Sequence, residues 1–266
     1  MKINIIIPAR YSSKRLPGKP LIKIAGQTML SRVVEIARIA AQDQEGVSIF
    51  VATDDERISN HCEELGVEWV MTPAECPSGT DRVHEVVLRC HPQPDFVINL
   101  QGDTPLTPPH YLTALINAFI ENPQVQVVTP ITQLSWEALD QLRESKTHTP
   151  FSGTCVIVDD KQQAIWFSKH IIPAIRNEDK YRASDERSPV FKHIGMYGYS
   201  PAALKAYTSW EPSKYERLEG LEQLRFLENG YTINAVKLEN ANLPIIGVDS
   251  PKDVEYVEQL LQEVSV

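Results

Sequence analysis

Seven cations, Lys2, Arg10, Lys14, Arg15, Lys19, Lys23 and Arg32, precede the first carboxylate of the chain, Glu35. The chain as a whole is acidic, with 35 Asp and Glu against 26 Lys and Arg and a formal charge of -9, so this concentration of positive charge is local and calls for a small negative partner. Arg10, Lys14, Arg15 and Lys19 lie in the stretch PARYSSKRLPGKPL, which follows the apolar run INIII. A loop that leaves a first buried strand and leads to a helix is where parallel sheets bind phosphates, through backbone N–H groups and flanking cations. Pro17 and Pro20 stiffen that loop. Neither G-x-x-x-x-G-K-[ST] nor G-x-G-x-x-G is present, so a nucleotide would be held by another arrangement, and a solvated basic loop is the alternative.

Two carboxylates have the complementary chemistry. Asp103 ends the stretch NLQGD after an apolar run, where an oxygen ligand to Mg²⁺ shared with phosphates is well placed. An ordinary Gly-Asp turn would look the same. Asp249, in IIGVDSPKD, offers a second carboxylate to the same cation or merely opens the helix that follows.

The elements that must position these residues alternate in kind. INIII has no polar alternation, as expected of a strand covered on both faces. Residues 28–42 carry apolar groups at helical spacing, with Thr28 as cap. VSIFVATDD reads as a strand into an acidic loop, DERISNHCEELG as a helix stopped by Gly66, and VEWVMT as a strand. SGTDRVHEVVLRC reads as a capped helix, DFVINLQGD as a strand and PPHYLTALINAFIEN as a helix opened by proline. This order predicts a doubly wound, mostly parallel α/β sheet of Rossmann-like type, with active groups at the C-terminal ends of its strands. In the second half, residues 145–160 and 190–199 suggest longer strands and 176–190 an exposed polar loop. Residues 212–230 read as helical, YTINAVKL as a strand, and SPKDVEYVEQLLQEV as a terminal helix capped by Ser250.

Composition narrows the class. With 42% hydrophobic and 23% charged residues and no apolar run of spanning length, a packed globular chain is expected and a membrane span is not. The opening apolar run is too brief for a signal peptide. Cys62, Cys76, Cys90 and Cys155 form no C-x-x-C pair and have no His at zinc spacing, which fits reduced thiols in a cytoplasm. The acidic balance argues against non-specific nucleic-acid binding, which needs a broad basic face.

Taken in order, PARYSSKRLPGKPL, VATDDERI, SGTDRVHEVV, NLQGDTP, FKHIGMYGYS, LEGLEQLRFLENG and GVDSPKDVEYV resemble the 3-deoxy-manno-octulosonate cytidylyltransferases over nearly the whole chain. The resemblance implies a cytoplasmic, homodimeric nucleotidyltransferase of lipopolysaccharide assembly that uses Mg²⁺ and converts CTP and an octulosonate sugar acid to the CMP-sugar and pyrophosphate. It implies a single domain over 1–266, with a nucleotide-binding core at 1–130, a sugar-binding and dimerisation elaboration at 131–240, and a return to the core at 241–266. By the same resemblance Arg10, Arg15 and Lys19 are phosphate ligands, and Pro8, Ala9 and the Ser78-Gly79-Thr80 turn bind the nucleoside, with Arg82 beside the base. Asp103 and Asp249 are the Mg²⁺ ligands, and Gln101, Lys169, His193, Tyr197, Glu222 and Gln223 face the sugar acid. Read without the resemblance, Glu222 and Gln223 fit an exposed helix face and His193 a strand edge.

Three stretches depart from the family's pattern. Thr104 stands where Gln-Gly-Asp-Glu-Pro has Glu; HTPFSGTCVIV replaces an Asn-Pro-Asn-x-Val-Lys stretch; FSKHIIP carries Lys169 in place of an Arg. Lysine offers a point charge and no planar fork, so it is not equivalent at a carboxylate site. An intact nucleotide half beside an altered sugar half points to a changed acceptor, the 8-amino-8-deoxy analogue. A sialic-acid cytidylyltransferase, a transferase of another nucleotide and a nucleotide-binding protein without turnover are the rival readings. RLPGKP and LEQLRFL favour the octulosonate branch over the first, and the joint presence of Arg10, Arg15, Lys19, Asp103 and Asp249 argues against the last.

Overall fold

The computed structural model describes residues 1–13, 15–239 and 246–264; Lys14 of the basic loop and the stretch 240–245 lie outside the described residues. β1 (Ile3–Ala9) leads through the basic loop, a 3-10 turn at Lys19–Leu21 and a small hairpin, β2 (Lys23–Ile24) and β3 (Gln27–Thr28), into α1 (Met29–Ala41). There follow β4 (Val47–Thr53), α2 (Glu56–Leu65), β5 (Glu68–Met71), α3 (Gly79–Arg89), β6 (Phe96–Asn99) and α4 (Pro109–Glu121). Each helix starts as its sequence dictates: the Thr28 hydroxyl accepts from Ser31 N, Asp55 caps α2, and Ser78 and Asp81 form a reciprocal capping box on α3.

β1 lies between β4 and β6 and runs parallel to both, with Ile3 opposite Val47 on one side and Phe96 on the other. Ile3, Ile5 and Ile7 bury against α1, α2 and α4, while Ile6 buries with Val83, Val86 and Val87 of α3 on the opposite face. This double burial is why the run shows no polar alternation. Strand order reverses at β1, so a crevice opens outside the C-terminal ends of β1 and β6. The two strand exits meet closely there: a Cβ at Gly102 would stand 2.5 Å from the Pro8 carbonyl oxygen, so only glycine fits.

The sheet continues through β7 (Val127–Ser135), β8 (Cys155–Val158), β9 (Ala164–Ser168), β10 (Arg187–His193), β11 (Tyr197–Tyr199) and β12 (Ile233–Lys237) in the order β5-β4-β1-β6-β11-β7-β10-β8-β9, with β12 on β7. β11 is antiparallel to β6 and β7, and β10 to β7 and β8. The α/β class expected from the sequence therefore stands, with a parallel half and an extension that is antiparallel except where β12 runs parallel to β7, in one continuous sheet. The 130/131 division falls inside β7.

Four local expectations change. Residues 145–160 are not one strand: α5 (Trp136–His148) occupies their start, capped by Ser135 and anchored by buried Trp136 and Leu139, and only β8 is extended. The polar stretch 176–190 folds into α6 (Glu178–Ser184) and enters β10, because Glu178 takes both Arg143 amino groups and Arg182 Nε at 2.7–2.8 Å. Residues 190–199 are divided between β10 and β11. The helical stretch 212–230 is broken into α8 (Lys214–Glu219) and α9 (Leu224–Glu228) at Gly220, whose φ of 64° lies in the left-handed region. α7 (Pro201–Ser209), packed beside α3, precedes them. α10 (Pro251–Val264) returns to the first half, where Val257 and Val248 pack with Leu16, Ile24 and Met29 of the basic loop and α1. Among the described residues no helix is long and apolar enough to cross a membrane.

Candidate active site

The crevice at the end of β1 and β6 is a cleft of about 530 Å³. Pro8, Ala9, Arg10, Arg15, Lys19, Ser78, Gly79, Arg82, Gln101, Asp103 and Asp249 all line it, although they come from four separate segments of chain. Val248 N donates to the Asp103 carbonyl at 2.9 Å, which sets the chain before α10 alongside the loop after β6 and brings the two aspartates together. Lys19 Nζ then lies 2.6 Å from Asp103 Oδ2 and 2.9 Å from Asp249 Oδ1, and Arg15 Nη2 is 3.0 Å from the same Asp249 oxygen. Arg10 has no hydrogen-bond or ion-pair partner among the described residues. The N-terminus of α3 borders the same cleft, and the Ser78-Asp81 box leaves its first N–H groups at the wall.

Asp103 does sit in a Gly-Asp turn, closed by Thr104 N on the Gln101 carbonyl at 3.4 Å, and its carboxylate still faces Lys19. Opening α10 is the task of Asp253, whose Oδ2 accepts from Asp249 N, Ser250 N and Ser250 Oγ at 2.7–3.0 Å, and these bonds hold its carboxyl below the usual range. Asp249 is free of that task and faces the cations. Among the described residues no group of three or more His, Cys, Asp and Glu could hold a metal, so the protein offers two carboxylates that converge on one positive centre. That donor set fits a hard cation whose remaining ligands are phosphate oxygens and water.

Two expected nucleotide-side residues sit differently from the rest. Arg82 lines the cleft but is buried, with its amino groups on Asp54 Oδ2 at 2.9 Å and on the Thr72 hydroxyl. Removing Asp54 would leave that guanidinium buried and unpaired, a cost on the order of 3–5 kcal/mol. Thr80 does not line the cleft; it is buried and its hydroxyl donates to Glu222 Oε2 at 3.3 Å, linking α3 to a second cavity.

That second cleft, about 570 Å³, holds Gln101, Lys169, His193, Tyr197, Glu222 and Gln223 together, and Gln101 lines both. Burial, with a smaller contribution from the Lys169 charge, pushes the His193 imidazole down to about 3, so the ring is neutral. The Thr129 hydroxyl lies 2.8 Å from both His193 Nε2 and the Met196 carbonyl oxygen. Its single proton goes to the carbonyl, so Nε2 carries the imidazole proton and Nδ1 is the bare acceptor. Burial, then the Glu222 charge, holds the Tyr197 phenol well above its ordinary value. Gln223 Nε2 is buried without a partner, and no hydrogen bond or ion pair engages Lys169 Nζ or Lys192 Nζ among the described residues. Two free ammoniums, an orphan amide donor and neutral hydroxyl and imidazole groups suit an acid rich in hydroxyls.

Sequence reasoning passed over Lys192, Thr132, Thr154, Lys146 and Glu219. Lys192 stood in the quoted FKHIG stretch, and its neighbour His193 drew attention instead. Thr154 and Glu219 lay inside quoted stretches, HTPFSGTCVIV and LEGLEQLRFLENG, but were not singled out; the sheet extension brings Thr132 and Thr154 to the cleft, with Lys146 and Glu219 behind its wall.

A cationic crevice at the switch point of an α/β sheet, joined to a second, polar cleft, is the arrangement of a nucleotidyltransferase. Residues 4–236 match the family described as Cytidylyltransferase. The 3-deoxy-manno-octulosonate cytidylyltransferase of Maricaulis maris (strain MCS10) is 40% identical over 261 residues, covering 98% of this chain and 97% of that protein. That of Chlamydia trachomatis serovar L2 is 38% identical over 256 residues, covering 96% and 92%. The solved structure of CMP:2-keto-3-deoxy-manno-octonic acid synthetase complexed with CTP superposes with a TM-score of 0.83 at 34% identity, covering 99% of this chain and all of that one. The chain belongs to the cytidylyltransferase family, among the 3-deoxy-manno-octulosonate cytidylyltransferases.

Proposed function

We propose that the chain transfers CMP from CTP to the anomeric hydroxyl of a 3-deoxy-manno-octulosonate acid and releases pyrophosphate, as a step of lipopolysaccharide assembly. The observation that carries this reading is the pair of adjoining clefts that share Gln101. One is cationic and bordered by a helix N-terminus; the other holds two unpaired ammoniums. The names of the relatives and the bound CTP of the solved structure support the same reading.

In this reading Arg10, Arg15 and Lys19 bind the triphosphate, and the N–H groups at the start of α3 and the backbone around Pro8 and Ala9 receive the nucleoside. Mg²⁺, held by Asp103 and Asp249, supplies neutralisation of phosphate charge when bound. Lys169 or Lys192 receives the sugar carboxylate, while His193 Nδ1 accepts from a sugar hydroxyl and Gln223 donates to another. Gln101, at the junction, orients the attacking hydroxyl toward the α-phosphorus, in line with the departing pyrophosphate. Charge grows on the leaving oxygens, so positioned cations supply most of the acceleration. His193 is too weak a base to take the proton at neutral pH, and the residues of the cleft act by position and field rather than as a strong base.

The 8-amino-8-deoxy sugar acid is the finer form of this proposal. All three departures from the family's pattern border the second cleft: Thr104, Gly153 and Thr154 of the replaced stretch, and Lys169. Glu222 is the one carboxylate among its lining residues and would pair with an added ammonium. Pyrophosphate release from CTP with Mg²⁺ across a panel of 2-keto-3-deoxy sugar acids tests both levels. Turnover with octulosonates supports the reading, and a higher kcat/KM for the 8-amino form supports the finer one. Equal values or preference for the 8-hydroxy sugar overturn the finer form; no turnover with any octulosonate overturns the whole.

A further inference from the structure

Lys146 sits half-buried in the last turn of α5, and its ammonium has no carboxylate partner among the described residues. It donates instead to backbone carbonyls of two separate segments: Ser152 O at 2.5 Å and Gly153 O at 3.2 Å in one, Lys169 O at 2.6 Å in the other, with Pro150 O at 3.5 Å. Desolvation, the largest influence on it, lowers its pKa, so the carbonyls take over the role of water around that charge. On the other side of the same residue, Lys169 N donates to Glu219 Oε2 at 2.8 Å, while Glu219 Oε1 accepts from Ser168 Oγ at 2.9 Å. The backbone of Lys169 is therefore held at its C=O by a cation and at its N–H by an anion. Both are charge-assisted bonds, the stronger kind.

The three segments joined in this way wall the second cleft. Gly153 and Thr154, Lys169, and Gly220 to Gln223 directly after Glu219 all line it. Among the described residues the Lys169 ammonium has no hydrogen-bond or ion-pair partner, and of the two such ammoniums lining the cleft, Lys169 and Lys192, it is the one whose own backbone is clamped at this junction. Lysine has a long, flexible stem and no rigid fork, so a lysine that must meet a carboxylate gains from a backbone that cannot shift.

We propose that Lys146 and Glu219 are positioning residues for the sugar-acid subsite: they clamp the Lys169 peptide between opposite charges and so aim the Lys169 ammonium at the substrate carboxylate. This rests on the assignment of the second cleft to the sugar acid. Neither residue touches substrate; both act through Lys169.

The test is a double-mutant cycle read as separate KM values for the sugar acid and for CTP. Lys146→Met should raise the sugar KM about tenfold, the loss of one charge-assisted contact, with the CTP KM within about twofold of the parent. Lys169→Met should raise the sugar KM at least as much. The double variant should equal Lys169→Met alone, because Lys146 has nothing left to aim. Lys146→Ala supplied with propylammonium should regain part of the lost sugar affinity. Glu219→Gln, which keeps the shape and removes the charge, should raise the sugar KM severalfold and spares the argument from resting on one variant that must fold. Multiplicative effects in the double variant, or equal rises in both KM values, overturn the clamp while leaving the cleft assignment standing. A sugar KM unmoved by Lys169→Met and Lys192→Met together overturns the cleft assignment and the clamp with it.

Discussion

At the scale of single residues, the site is defined by charges that find each other across the chain. Lys19 and Asp249 are 230 positions apart in the chain and in contact at 2.9 Å, which no local sequence pattern states. Their types and their places beside apolar runs made them candidates; only the packing of α10 on the basic loop brings them together. His193 shows the reverse case, a residue whose protonation state is fixed by burial and is invisible in the sequence. Its folded value of about 3 lies below the ordinary 6.5, so between those values the unfolded chain binds a proton that the folded chain refuses. Stability must then fall as pH drops from 6.5 toward 3. His193→Gln removes that proton uptake, and its Tm should decline less steeply than the parent's between pH 6.5 and 5. Parallel slopes in thermal melts of the two proteins would contradict a buried neutral imidazole.

At the scale of elements, the parallel half was legible because its signals are local. INIII, the Ser78 cap, Gly66 and the 3.6-residue rhythm of α1 each name their own structure. The antiparallel half was less so because its elements are held by partners distant in sequence. α6 is the clearest instance: RNEDKYRASDERSPV has no buried apolar stripe, and its helix is fixed by ion pairs of Glu178 and Arg182 with Arg143 and Asp140 of α5. The bonds from Arg143 and then Arg182 hold the Glu178 carboxyl down from 4.5 to about 2. A carboxylate so depressed contributes stability that is complete above about 4.5 and is lost as pH falls through about 2. Amide exchange of residues 178–184, corrected for intrinsic rates, should therefore accelerate relative to α1 across that window. Unchanged relative protection would show that α6 does not depend on the Glu178 charge.

At the scale of the whole molecule, one sheet carries both halves of the site. Gln101 follows the parallel strand β6, and β11, antiparallel to it, supplies Tyr197 across the same edge, so the two clefts are neighbours by construction. The sequence exposed the first pocket through its cations and the second only through resemblance, since its wall is assembled from six separate segments between Gln101 and Gln223. A local cationic cleft in a chain of charge -9 attracts a polyanion to one place and repels it elsewhere. We expect a cytoplasmic homodimer, as the resemblance implies, and sedimentation equilibrium should return about twice 30.0 kDa; a lone 30.0 kDa species would contradict it. The central claim is that early cations grip a triphosphate whose metal is shared by Asp103 and Asp249. Its most direct measurement is steady-state pyrophosphate release by Arg15→Met and Asp249→Asn with CTP, Mg²⁺ and a 3-deoxy-octulosonate. Each variant should lose about two orders of magnitude or more in kcat/KM while keeping the parent's fold, on the scale seen when one transition-state charge contact is removed. Turnover equal to the parent's in either variant would contradict the account.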